Sequence, residues 1–64
     1  MDFVYVLLCG SDWEDMIILL SKEDAINESL KYPDIRVEIF SKNNNSGYTP
    51  TYNYYKNGEL VIKS

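Results

Sequence analysis

The chain has 64 residues and a mass of 7.5 kDa, a size at which folding removes only about 60% of the unfolded surface from water, so one domain with a thin core is expected. Ten acidic against six basic residues give a net charge of -4, a balance that opposes the counterion release on which nucleic-acid or anionic-membrane binding depends and fits a protein partner with a basic surface. With no histidine, the chain supplies neither an imidazole base nor an imidazole metal ligand, and the usual catalytic triads are excluded.

Phe3 to Cys9 (FVYVLLC) is β-branched, aromatic and aliphatic, and stops at the turn formers Gly10-Ser11-Asp12, which predicts a first strand. Preceded by Asp2, only seven residues long and without a small-residue cleavage site, the same stretch lacks the form of a signal peptide. It is too short to cross a bilayer. Without a secretory signal, the sequons Asn27-Glu28-Ser29 and Asn44-Asn45-Ser46 read as chance matches. Met16 to Leu20 (MIILL), begun at Trp13 or Glu14, predicts a second strand hairpinned on the first. A helix over Trp13 to Leu20 competes, but the run of Ile and the missing polar positions at period 3.6 argue against it.

Ser21-Lys22-Glu23-Asp24 has the form of an N-cap Ser with a carboxylate three residues on, so a helix starts there. Its apolar stripe is expected to be Ala25, Ile26 and Leu30, and Tyr32-Pro33 ends it. Ile35 to Phe40 (IRVEIF) sets Ile35, Val37 and Ile39 against Arg36, Glu38 and Phe40, the period of a strand with one face in the core. Lys42 to Gly47 is a polar loop, expected to be the most mobile segment. Asn57-Gly58 between Tyr52 to Tyr55 and Leu60 to Ile62 is the sequence of a type I′ hairpin joining strands four and five. Pro50, with no N–H, belongs before strand four or on an unpaired edge. The expected fold is α+β, a single domain over residues 1–64 in the order ββαβββ, one helix packed on an antiparallel sheet whose strand order stays open.

The Asp12-Trp13-Glu14-Asp15 turn, the SKEDAI helix start, the RVEIF strand and the GYTPTYNYYKNGEL ending together resemble small uncharacterised proteins encoded by large DNA viruses of amoebae. The resemblance runs over nearly the whole chain but carries no catalytic motif. It implies a viral origin and a place in the virion or the host cytoplasm, and brings no activity, cofactor or binding residues with it.

One short helix covers one face of a sheet, yet the first strand is apolar on both, with Phe3, Tyr5 and Leu7 on one side and Val4, Val6 and Leu8 on the other. A second copy is the simplest cover, so a homo-oligomer, a dimer above all, is expected, with Phe3, Tyr5 and Leu7 as the self-association face. The single Cys9 cannot form an intrachain disulfide, which agrees with a reducing compartment and adds to the need for such support.

Tyr48, Tyr52, Tyr54 and Tyr55 suit a recognition surface, since Tyr buries much area at little entropic cost, but Tyr also simply favours strands, and that account carries more weight. Asp12, Glu14 and Asp15 around Trp13 lack the spacing of a calcium loop; they form a solvated turn or an acidic hot spot for a partner. Arg36 and Glu38, two apart on one strand, read as a surface ion pair worth roughly 0 to 1 kcal/mol. Cys9, without a basic neighbour, reads as a small buried hydrophobe rather than a nucleophile. No catalytic residue, metal ligand or cofactor is expected. The functional expectation is a non-enzymatic structural or interaction protein, with an acidic binding module or inhibitor for a basic or nucleic-acid-binding surface of a host protein as the alternative.

Overall fold

The computed structural model describes residues 2–43 and 46–63. Phe3–Leu8 forms β1 and Met16–Leu19 forms β2, paired antiparallel with Tyr5 opposite Leu19 and Leu8 opposite Met16. Between them Trp13–Asp15 makes one 3₁₀ turn, so β2 starts at Met16 and not at Trp13 or Glu14. Here the Asp15 N–H donates to Asp12 O at 3.0 Å and the Cys9 N–H to Asp15 O at 3.2 Å. Gly10 permits this fold-back, because a Cβ there would collide with the Asp15 carboxylate.

The helix α1, Lys22–Lys31, starts as expected: Ser21 Oγ accepts from the Asp24 N–H at 3.3 Å. It ends at Tyr32, whose N–H donates to Glu28 O, just ahead of Pro33. β3 (Val37–Lys42), β4 (Tyr48–Lys56) and β5 (Glu59–Val61) complete a five-stranded antiparallel sheet in the order β2-β1-β3-β4-β5. The α+β class and the ββαβββ order are thus as the sequence predicts. Asn57 and Gly58 both have positive φ, 51° and 79°, the requirement of a type I′ turn between β4 and β5.

The helix lies on the side of the sheet that carries Tyr5, Leu7, Val37, Ile39 and Tyr55, which with Ala25 form the core; Leu19, Ile26 and Ile35 pack around it. Of the self-association face expected at Phe3, Tyr5 and Leu7, Tyr5 and Leu7 are buried in the core and cannot serve, while Phe3 is 46% exposed. The stripe of the helix also differs from expectation. Leu30 is 54% exposed and Ser29 is fully buried in its place. Ser29 Oγ donates to Ile26 O at 2.7 Å and accepts from the Gly58 N–H at 2.9 Å, so the residue ties α1 to the β4–β5 turn. Cys9 is exposed rather than buried, because β1 stops at Leu8 and Cys9 opens the loop.

Strand four is longer than Tyr52 to Tyr55. Pro50 lies within it, opposite Phe40, and since β5 pairs with Tyr54, Tyr55 and Lys56, the stretch holding Pro50 has no strand on its other side among the described residues. The register slips between Glu38 and Phe40, where Thr51, Tyr52 and Asn53 stand against Ile39 alone. Tyr52 takes φ 69° in this bulge. Thr51 Oγ1 donates to Ile39 O at 2.8 Å and accepts from the Asn53 N–H at 3.2 Å, and Asn53 Oδ1 accepts from the Lys63 N–H at 3.0 Å. Asn44 and Asn45, in the loop expected to be most mobile and in the second sequon, lie outside the described residues.

Candidate interaction surface

The face of the sheet away from α1 carries the alternate residues of every strand. Register aligns Ile18, Val6, Glu38, Tyr54 and Val61 in one row across all five strands. Leu8 and Met16 form a row on one side of it, and Val4, Phe40 and Pro50 a row on the other. The rows exist because β-branched and aromatic residues fill both pleat positions of β1 and β2, leaving no polar set to turn toward water. Val6, at the centre, is buried by its neighbours alone, while Ile18 is 59% exposed and Leu8 and Met16 are also exposed. The result is a contiguous apolar surface, richest where β1 meets β2.

Polar groups border it on the β3 side, where Glu38 stands beside Val6. Arg36 Nε lies 3.5 Å from Glu38 Oε2, the surface pair expected from their spacing. The Arg36 guanidinium also stacks over the Tyr54 ring, 4.7 Å from its centroid, which fixes a planar cation and an aromatic together on the open face.

Pairing along the edges is poorly served. The edge strands β2 and β5 have four and three residues, and the open flank of β4 is interrupted by Pro50 and the bulge at Tyr52. Short, kinked or proline-bearing edges offer few aligned backbone groups to another chain. Of the two ways a sheet can recruit a partner, the face is the one this sheet leaves available.

The four C-terminal tyrosines do not form one surface. Tyr48 and Tyr54 fall on the open face by register, Tyr52 projects from the bulge, and Tyr55 is in the core with its ring centroid 6.2 Å from that of Tyr5. Trp13 is 78% exposed, with Asp12, Glu14 and Asp15 exposed around it, so the acidic turn does present an indole to solvent. Among the described residues no three of His, Cys, Asp or Glu converge closely enough to hold a metal ion. Among them, too, no helix is long and apolar enough to cross a membrane.

Val4, Val6, Leu8, Met16, Ile18, Phe40 and Val61 were not singled out as site residues. The signal for them was the second apolar set of β1, which alternates with the core set and is equally apolar. Only the position of α1 distinguishes the two. No family model, curated protein or solved structure matches this chain.

Proposed function

We propose that the protein is a small non-enzymatic structural or interaction protein that works as a homodimer, two copies meeting through the open face of the sheet. The observation that carries this is the unbroken apolar field of Leu8, Met16, Ile18, Val6, Val4 and Phe40 on the side without a helix. A standard patch of roughly 800 Å² per copy would take about a sixth of the chain's 4645 Å² surface. At about 25 cal/mol per Å² of apolar area, such burial is large beside the ~3–5 kcal/mol that a core of this size supplies. The proposed setting, a virus-encoded component of the virion or the host cytoplasm, rests on the sequence resemblance alone.

The test is the mass in solution, by light scattering on a sizing column over a dilution series. The expected mass is twice 7.5 kDa, falling to the single-chain value in Ile18→Glu, a change at an exposed position that leaves the core intact. A wild-type protein that runs as a monomer at every concentration would sink the dimer.

The exposed Trp13 among three carboxylates favours a second reading, an acidic module that docks on a basic surface. Titration with an arginine-rich peptide should then shift Trp13 emission to the blue and salt should reverse it. Unchanged emission removes this reading.

A further inference from the structure

The helix crosses its side of the sheet from β2 toward the β4–β5 turn, and leaves the far end of that side uncovered. A groove of about 260 Å³ lies there, with Phe3, Ile39, Leu60 and Ile62 as its apolar walls. Its volume is just below the about 300 to 1,000 Å³ of sites for drug-sized ligands, so an occupant is small. The polar side chains that meet in it include Tyr5, Tyr55 and Lys22, and none of its lining residues is acidic, in a chain whose net charge is -4.

Tyr5 and Tyr55 are 8% and 5% exposed; among the described residues neither hydroxyl is paired and the one buried side-chain oxygen without a partner is Glu28 Oε2, so both hydroxyls open to the groove. Lys22 forms no ion pair among the described residues, and it acts electrostatically on the Tyr5 hydroxyl, as Tyr55 does, which places the three polar ends in one neighbourhood. Thr51 and Asn53, also in the lining, are committed to the bulge and to the Lys63 N–H. What is left over is two phenolic donors and one ammonium beside an apolar wall.

We propose that this groove binds a small amphiphilic carboxylate, such as a medium-chain fatty acid. The carboxylate accepts from the Tyr5 and Tyr55 hydroxyls and pairs with Lys22, and the hydrocarbon lies along Phe3, Ile39, Leu60 and Ile62. Charge-assisted bonds of this kind are stronger than neutral ones and favour an anion over an alcohol or an amine of the same length. A phosphate-rich ligand is poorly served, because only one cation borders a mostly apolar groove. The site lies on the opposite side of the sheet from the proposed dimer face and stands whether or not the chain dimerises.

Amide chemical shifts during titration with octanoate test this directly, with octylamine as the control of opposite charge. The expected result is saturable shifts at Phe3, Tyr5, Thr51, Asn53 and Leu60 at ~1 mM octanoate, with little response to octylamine. Lys22→Gln, at an exposed helix position, should weaken the binding about tenfold while leaving the rest of the spectrum in place. Tyr55→Phe, which keeps the ring, should weaken it severalfold. Absence of saturation at ~10 mM octanoate, an equal response to octylamine, an unaltered affinity in Lys22→Gln, or shifts confined to Val6, Ile18 and Phe40 would each overturn the assignment.

Discussion

Single side chains hold this thin fold together at identifiable points. Ser29 is one: fully buried, it carries the hydrogen bond that fixes the Gly58 N–H to α1. Ser29→Ala leaves that N–H unpaired, and should cost about 1 to 3 kcal/mol in chemical denaturation. Gly58→Ala acts on the same junction through sterics, since φ is 79° and the new Cβ would stand 2.7 Å from Leu30 Cδ2; a loss of ~1–2 kcal/mol or more is expected. Asn57-Gly58 was legible in the sequence because positive φ at both positions selects those residues, whereas Ser29 was not, because a serine within a helix reads as solvent-facing until a partner from another element appears. Tyr5 adds a pH dependence. Burial, reinforced by Tyr55 and opposed by Lys22, raises its hydroxyl above the ordinary value of 10.0. The native state therefore holds this proton more tightly than the unfolded chain, so the contribution is complete below pH 10.0 and is lost as pH rises through the native value. Denaturant midpoints should fall on the alkaline side, and Tyr5→Phe should flatten that fall.

Among the elements, β4 departs furthest from its sequence pattern. Three residues opposing Ile39 break the alternation that made β3 readable from Ile35, Val37 and Ile39, so the part of β4 before Tyr52 was invisible to a period-of-two search. Thr51 replaces the lost ladder contacts with its own hydroxyl, and Thr51→Val, close in shape but without that hydroxyl, should destabilise by about 1 to 2 kcal/mol. At Tyr52 the effect runs the other way. A bulky residue at φ 69° carries a steric cost that glycine does not, so Tyr52→Gly should raise the melting temperature, with a gain of up to ~1 kcal/mol. A loss of stability there would mean that the exposed ring contributes packing that outweighs the backbone.

At the scale of the whole molecule, the sheet has two apolar sides and one helix. The two residue sets of β1 were legible in the sequence, but not which of them α1 takes, because both are apolar and of similar size; the choice depends on the side to which the chain crosses after β2. Mutations on the two sides should separate cleanly. Leu7→Ala, in the core, is expected to cost about 2 to 5 kcal/mol of unfolding free energy. Ile18→Ala, on the open side, should leave the unfolding of dilute protein nearly unchanged and lower the mass-action stability of the proposed dimer instead. The helix also sets how far association can go. A bare sheet stacks on both sides and has no reason to stop, but this one has a valence of one. In the proposed dimer both open sides are used and no equivalent surface faces outward, so assembly through this face would terminate at a pair rather than grow into a fibre.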